Sequence, residues 1–176
     1  MMGSKINLNA DVMQITTKSL HIGRLGGFLL FLLLGFTFFS CGKPGVLNQY
    51  QRIPDGQWKK ENPVNLEANL TEKNGIYNIY LQVRNTTDYN YANLYLFINT
   101  TLPDLTKTRD TVECYLASPD GKWIGSGFGK IKESRWLMKK GMMIKNPGLY
   151  KFSIEQAMRV EVLEGISDIG LKIEKQ

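Results

Sequence analysis

Cys41 is the residue whose position suggests the clearest chemistry in this sequence. It directly follows Ser40 and an uninterrupted apolar run, residues 28–39, which basic residues precede. Basic residues, a short apolar run and a cleavage site together form a secretory signal peptide. A cysteine at that junction is typical of lipoprotein processing with a loose lipobox. We therefore expect residues 1–40 to be a cleaved signal peptide and Cys41 to become the lipidated N-terminus.

The apolar run is too short for a permanent transmembrane helix. It has about a dozen residues, whereas a helix needs roughly 20 to span the hydrocarbon core. Lipid on Cys41 would anchor the chain instead, because each buried methylene contributes about 0.8 kcal/mol and several acyl chains hold stably. Residues 42–48 contain no acidic side chain. An acidic cluster there often signals retention or surface export, so its absence favours the periplasmic face of the outer membrane.

The mature chain lacks the side chain on which most catalytic triads and zinc sites depend. The single histidine, His21, lies in the predicted signal peptide. Without it, Ser-His-Asp and Cys-His catalysis and ordinary His-containing zinc sites are excluded. Residues 125–129, GSGFG, follow a predicted turn, which favours a glycine-rich bend or edge strand over a phosphate-binding loop. We expect no metal, no cofactor and no small-molecule substrate.

Carboxylates are the remaining candidates for catalysis. Asp88, Asp120, Glu155 or Asp168 would have to converge in space, as the two acids of a glycoside hydrolase do. Nothing in their spacing indicates this, and acidic side chains on a protein surface are normally solvated. We predict that the protein is not an enzyme. The alternative is a carboxylate hydrolase with two acids about 5 to 9.5 Å apart in a cleft.

Aromatic side chains near predicted loops are better candidates for binding. They are Trp58, Tyr89, Tyr91, Trp123 and Trp136. Exposed rings of this kind stack on sugars or grip a partner protein, so these residues form a candidate binding surface. A carbohydrate-binding function would require at least two of the rings side by side in one groove. The alternative is that the rings close the ends of the fold as part of its core.

Basic residues cluster between residues 130 and 145. They are Lys130, Lys132, Arg135, Lys139, Lys140 and Lys145, and Glu133 is the single acid among them. Nucleic acid is not an expected partner outside the membrane. The cluster would contact anionic headgroups or an acidic protein, or it would form an ordinary solvated face.

Apolar and polar residues alternate with a period of two from about residue 64 onward. The clearest case places Tyr77, Ile79, Leu81 and Val83 on one face of a half-buried strand. Turn-forming segments separate the strands: Lys73-Asn74-Gly75, Pro119-Asp120-Gly121 and Asn146-Pro147-Gly148. We expect an all-β fold, a jelly-roll-like antiparallel β-sandwich, with an open barrel as the alternative.

The mature chain is expected to form one domain. Residues 41–49 form a lipidated tether, and residues 50–176 form the sandwich, which is long enough for one self-sufficient core. The mature net charge is +4, because residues 1–40 hold three of the 22 basic and one of the 16 acidic side chains. Lipidation of Cys41 leaves Cys114 without a disulfide partner. The alternation around Cys114 predicts a buried, unreactive thiol.

Several separated segments, in a fixed order, characterise the mature chain from about Tyr50 to Lys175. They are Ile53-Pro54-Asp55-Gly56 with Trp58, Tyr77-Asn78-Ile79-Tyr80 with Arg84-Asn85-Thr86, Asp88-Tyr89 with Tyr91 and Asn93-Leu94, Pro119-Asp120-Gly121-Lys122-Trp123, Ile154-Glu155-Gln156-Ala157-Met158-Arg159, and Gly165-Ile166 with Asp168-Ile169-Gly170-Leu171 and Ile173-Glu174-Lys175.

Through these segments the mature chain resembles the family of gliding motility lipoprotein GldH. This resemblance implies an outer-membrane lipoprotein of gliding Gram-negative bacteria, associated with an envelope motility and secretion apparatus. The family brings no enzymatic activity and no catalytic residue. Only Cys41, which matches the family's lipidated cysteine, carries over as a functional position. We therefore expect an interaction subunit whose partners are the membrane, through its lipid anchor, and other motility or secretion proteins of the envelope. The alternative is a carbohydrate-binding envelope lipoprotein that uses the loop aromatics.

Overall fold

The computed structural model describes residues 46–176, which form ten β-strands and one short 3₁₀ turn, Pro54–Gly56. The strands are β1 (Leu47–Arg52), β2 (Gln57–Lys59), β3 (Val64–Leu70), β4 (Ile76–Thr86), β5 (Asn93–Thr101), β6 (Lys107–Tyr115), β7 (Ile131–Met143), β8 (Gly148–Gln156), β9 (Val162–Glu164) and β10 (Ile166–Lys175). The predicted signal peptide and Cys41 lie outside the described residues. No helix within residues 46–176 is long and apolar enough to cross a membrane.

The strands pair in a nested order, as in one long hairpin. β5 pairs with β6, and outward from it β4 pairs with β7, β3 with β8, β2 with β9 and β1 with β10, all antiparallel. The doubled ribbon folds so that β10 also pairs with β4 and β8 with β5. This gives two four-stranded sheets: sheet I (β1-β10-β4-β7) and sheet II (β3-β8-β5-β6). The arrangement is a jelly-roll sandwich, which confirms the predicted fold class.

Alternating residues place one face of each sheet in the core. In β3 every second residue from Val64 to Leu70 is buried, and in β4 the predicted inward set that begins at Tyr77 is buried. Strands β5, β8 and β10 repeat this pattern. Full burial of one such side chain stabilises the fold by about 1.5–3 kcal/mol. The packing of the two inner faces is therefore the main source of stability.

Cys114 lies in this core, as predicted. It is 0% exposed in β6, opposite Leu94 of β5. Burial raises the pKa of its thiol to about 12. Because the thiolate is the reactive form, Cys114 acts as a packing residue at neutral pH.

Strand β1 begins earlier than the predicted domain boundary at residue 50. Leu47 pairs with Ile173 and Gln49 with Leu171, both of β10. Backbone pairing with sheet I makes residues 47–49 part of the folded domain and not part of the tether.

The direction of the strands defines two ends of the sandwich. The pairing of Leu47 with Ile173, and of Ile173 with Ile79, brings the entry of the chain to one end of sheet I. We call this the N-terminal end; it carries Val46, Gln176 and the loops 71–75, 102–106 and 144–147. The opposite, distal end carries β2, β9 and the connections 53–56, 87–92, 116–130 and 157–161.

Candidate functional site

Two of the five predicted aromatic binding residues belong to the core. Trp58 and Tyr89 are 1% and 4% exposed at the distal end. The Trp58 indole donates a hydrogen bond to the carbonyl oxygen of Asn62 at 2.9 Å. The Tyr89 hydroxyl donates to the carbonyl oxygen of Asn93 at 2.9 Å, and burial raises its pKa. These two rings close the end of the sandwich, so they cannot form part of an exposed binding surface.

The other three rings lie nearer the surface but do not form one platform. Tyr91 is 39% exposed and meets Tyr89 edge-on, with ring centroids 5.5 Å apart. Trp123, in the loop between β6 and β7, is half-buried against the core, and so is Trp136 of β7, which pairs with Leu81. Among these five described rings, no two are exposed side by side. This arrangement does not favour sugar binding by the predicted residues.

The most exposed ring within residues 46–176 is Phe128, which sequence reasoning did not single out. Its side chain is 104% exposed at the tip of the loop that joins β6 to β7, residues 116–130. Ser126 and Glu133 exchange two backbone hydrogen bonds of 2.9 and 2.7 Å at the base of this tip. An anchored loop therefore holds an apolar ring in solvent.

Glycines on both sides of Phe128 create this position. Gly127 and Gly129 have φ angles of +139° and +65°, which residues with a side chain rarely adopt. A β-carbon on Gly127 would lie 2.6 Å from the carbonyl oxygen of Ile131, too close for the present backbone. The glycine-rich segment thus runs along edge strand β7, which confirms the predicted glycine-rich bend or edge strand. The flanking glycines are the sequence signal that could have indicated the exposed ring.

Further apolar surface and a crevice lie close to Phe128 in the sequence, on the same loop and on the first residues of β7. Ile124 and Ile131 are 56% and 39% exposed. A crevice of about 360 Å³ is lined by Ile124, Ser126, Glu133, Ser134, Arg135 and Trp136. The Ser134 hydroxyl oxygen is buried and has no hydrogen-bond partner among the described residues. We call Phe128, Ile124, Ile131 and this crevice the distal surface.

The predicted basic cluster is divided between the two ends. Lys130 Nζ lies 3.5 Å from a carboxylate oxygen of Asp88, and Lys132 Nζ donates to the carbonyl oxygen of Gly127 at 3.0 Å. Such exposed pairs stabilise by about 0–1 kcal/mol. The lysines toward the N-terminal end are Lys139, Lys140 and Lys145. The cluster therefore does not form one continuous surface.

The four acids considered for catalysis lie on different elements. Asp88 and Asp120 are in separate loops, whereas Glu155 lies on the outer face of sheet II and Asp168 on that of sheet I. A hydrogen bond from the Ser118 hydroxyl lowers the pKa of Asp120, whereas a general acid needs a raised pKa. Within residues 46–176, no group of three or more His, Cys, Asp or Glu side chains could hold a metal ion.

An open groove of about 550 Å³ crosses the outer face of sheet II. The Arg109 guanidinium there donates to Asn99 at 3.1 Å and to Glu155 at 3.3 Å, and Asn99 donates to Glu155 at 2.7 Å. The guanidinium also lies 4.1 Å from the ring centroid of Phe97. These groups satisfy one another, so their main effect is to hold edge strand β6 to its sheet.

Comparison with known proteins identifies the family. Residues 45–173 match the family model of the GldH lipoprotein. This chain belongs to the GldH lipoprotein family. It is 36% identical over 153 residues to the "Gliding motility lipoprotein GldH homolog" of Christiangramia forsetii, covering 83% of this chain and 93% of that protein. It is 34% identical over 154 residues to the "Gliding motility lipoprotein GldH" of Flavobacterium johnsoniae, covering 84% of this chain and 95% of that protein. The resemblance stated from the sequence is confirmed.

The GldH family match covers both sheets and the distal surface. It begins at residue 45, after Cys41. Cys41 also lies outside the described residues, so its lipidation stays a prediction. The position of Cys41 directly after the apolar run agrees with membership of a lipoprotein family.

Proposed function

We propose that this member of the GldH family is a non-catalytic outer-membrane lipoprotein that serves bacterial gliding motility, and an associated secretion system, as an interaction subunit. The names of two relatives, both gliding motility lipoproteins, support the motility role. The interaction role rests on one observation above all, the fully exposed ring of Phe128 on an anchored loop.

The lipid anchor places this domain at a membrane. In the proposal, Cys41 carries the acyl chains, and residues 42–45 connect it to the sandwich at the periplasmic face of the outer membrane. The absence of acidic residues from this connection supports that face. The distal surface then points away from the end at which the anchor enters.

The distal surface suits a protein partner. A ring that is already held in place loses little conformational freedom on binding, and aromatic anchors in a partner's pocket often dominate binding energy. Burial of Phe128 would contribute about 1.5–3 kcal/mol. Arg135 lines the crevice and Lys132 contacts Gly127, whereas the acid of the crevice, Glu133, is paired with Arg84. These cations favour a partner whose pocket has an acidic rim.

The chemistry of the domain supports a non-catalytic role. Its carboxylates are dispersed over loops and opposite sheet faces, and the mature sequence has no histidine. The network of Arg109, Asn99 and Glu155 is occupied by its own hydrogen bonds. These features leave recognition as the function that the geometry supports best.

Site-specific photo-crosslinking in a gliding host would test the proposal. A photoreactive phenylalanine analogue replaces Phe128 in the full-length lipoprotein, and crosslinked proteins are identified by mass spectrometry. The matched control carries the same analogue at Tyr95, which is 38% exposed on the outer face of sheet II. We expect envelope motility or secretion proteins to be captured from position 128 and not from position 95.

Point variants then test whether the captured partner is needed for gliding. Phe128→Ala should fold normally and reduce gliding strongly, and Tyr95→Ala should glide. Cys41→Ala should lose both membrane attachment and capture. If Phe128→Ala glides normally and position 128 captures no envelope protein from correctly lipidated protein, the proposed interaction subunit is refuted.

A further inference from the structure

The position at which the chain enters the sandwich limits the distance between the domain and its anchor. Cys41 lies five residues before Val46, and five extended residues span at most roughly 18 Å. Val46 is the first residue that the structure describes, and it lies at the N-terminal end, where its amide donates to the Ile173 carbonyl oxygen at 2.8 Å. A lipidated Cys41 therefore keeps this end close to the membrane surface.

We propose that the N-terminal end is a second membrane contact, which lies on the anionic phospholipid surface through exposed apolar side chains between lysines. The inference rests on the lipid anchor of the proposed function. It goes further, because a tether alone would let the domain rotate freely above the membrane. A second contact would fix the domain's orientation, with the distal surface directed away from the lipid.

Exposed apolar side chains surround the N-terminal end. They are Leu105 (78% exposed), Met143 (53%), Leu149 (42%), Val46 (41%) and Ile76 (38%), which we call the N-terminal patch. Ile76 and Met143 are paired neighbours on sheet I, whereas Leu149 lies in β8 of sheet II and Leu105 in the loop after β5. Five different segments thus contribute apolar surface to one end. Exposed apolar side chains that share one end of a domain in this way are candidates for a contact surface.

Leu105 is the most exposed member of the patch and has a strained backbone. Its φ of +66° lies in the left-handed region, which glycine or asparagine adopts more easily than leucine. The turn is closed by hydrogen bonds between Leu102 and Thr106 and from the Leu105 amide to the Leu102 carbonyl oxygen, each 2.9 Å. An apolar side chain is therefore presented to solvent at a position where a polar residue would be less costly.

Charge around the patch complements an anionic surface. Four lysines at this end form no salt bridge among the described residues: Lys73, Lys107, Lys140 and Lys145. The nearby acid Glu72 pairs with Lys175 at 2.6 Å. Asp104 accepts hydrogen bonds from the Thr106 amide, at 3.0 Å, and from Asn146, at 2.8 Å, which lower its pKa and keep it charged. The lysines outnumber this one acid, so the net field attracts anionic headgroups.

A mostly apolar cavity, which shares Met143 with the patch and has the Lys139–Asp110 ion pair in its lining, adds room for acyl chains. It has a volume of about 370 Å³, and its lining includes Met138, Met142, Leu102 and Ile144. Methionine side chains are flexible and adapt to irregular apolar surfaces. A fluid lipid surface fits this combination of shallow apolar residues, adaptable lining and surrounding lysines.

Fluorescence of the full-length lipidated protein in vesicles would test the inference. An environment-sensitive dye is attached to Leu105→Cys in vesicles of phosphatidylcholine and phosphatidylglycerol. Cys114 is fully buried and Cys41 carries lipid, so the added cysteine is the thiol that reacts. Phe128→Cys, at the distal end, is the matched control. We expect the dye at residue 105 to be quenched by spin-labelled lipids several-fold more strongly than the dye at residue 128.

Charge-reversal variants test whether the lysines at the N-terminal end bind the anionic lipid. Lys140→Glu combined with Lys145→Glu should reduce quenching at residue 105 to near the level at residue 128, as should pure phosphatidylcholine vesicles. Lys130→Glu combined with Lys132→Glu, at the distal end, should leave the quenching at residue 105 unchanged.

Co-flotation with the vesicles separates the two possible failures. If the protein floats with the vesicles but both dyes are quenched equally, the second contact is absent and the inference is overturned, whereas the anchor stands. If the wild-type protein does not float, the lipid anchor itself is wrong and the inference falls with it.

Discussion

The two ends of the sandwich expose apolar surface in different ways. At the N-terminal end, five side chains on separate segments are each between 38% and 78% exposed. The distal end also has partly exposed apolar side chains, such as Ile124 (56%) and Val162 (40%), but Phe128 alone projects fully, from a single loop. Several partly exposed side chains suit a broad, fluid surface, whereas one projecting ring suits a pocket in a folded partner. The difference fits the two contacts proposed above, a membrane at one end and a protein at the other.

Beneath these different surfaces, both ends are closed in the same way. Tyr89 at the distal end and Tyr150 at the N-terminal end are each 4% exposed. Each hydroxyl donates to a backbone carbonyl four residues away, that of Asn93 at 2.9 Å and that of Asn146 at 3.0 Å. The exposed residues therefore lie over well-packed ends and do not result from poor closure of the core.

The largest expected effect is the difference in stability loss between truncating a buried ring and an exposed ring at the distal end. Trp58→Ala removes a side chain that is 1% exposed and its hydrogen bond to Asn62. Such a truncation lowers the free energy of unfolding by about 3–5 kcal/mol. Phe128→Ala should change it by less than about 0.5 kcal/mol, because the ring is on the surface. Urea denaturation of both variants measures the difference. Equal losses would show that Phe128 packs against the domain.

A smaller effect tests how the loop presents Phe128. Gly127→Ala places a β-carbon 2.6 Å from the Ile131 carbonyl oxygen at a φ of +139°, whereas Gly129→Ala meets no atom within 4 Å at a φ of +65°. We expect Gly127→Ala to cost about 2–3 kcal/mol and Gly129→Ala about 1 kcal/mol. Thermal denaturation compares them with the wild type. If the two costs are equal, close backbone approach does not shape the loop tip.

The sequence predicted the parts of the fold that depend on local patterns. Alternation identified the buried face of β4, and Asn146-Pro147-Gly148 marked the turn into β8. Cys114 was correctly placed in the core because its neighbours alternate around it. These features depend on periodicity and turn chemistry, which are readable from a few adjacent residues.

The exposed residues were harder to predict, because their environment depends on distant strands. Trp58 is buried where β2 pairs with β9, more than 100 residues later in the chain. Phe128 is the exception, because its flanking glycines are a local signal and Gly127 lies against the backbone of Ile131 only four residues later. Residues of the N-terminal patch are brought to one end only when the doubled ribbon folds into two sheets. A single sequence shows which residues are apolar but not which of them the topology leaves uncovered.

The smallest expected effect tests whether the two ends are closed equally. Tyr89→Phe and Tyr150→Phe each remove one buried hydroxyl and leave a carbonyl oxygen unpaired, that of Asn93 or Asn146. Each should lower the free energy of unfolding by about 1 kcal/mol. Urea denaturation at neutral pH measures both. A negligible loss for one variant would show that its loop is held by other contacts.

The dependence of stability on alkaline pH also compares how deeply the two tyrosines are buried. Burial raises the pKa of both tyrosines, and the shift is larger for Tyr89. An unfolded tyrosine ionises near pH 10. Above that pH the unfolded chain loses these protons while the native protein keeps them, so stability falls as the pH rises toward the native pKa. Tyr89→Phe should reduce this fall more than Tyr150→Phe does. An equal reduction would show that both ends exclude water to the same degree.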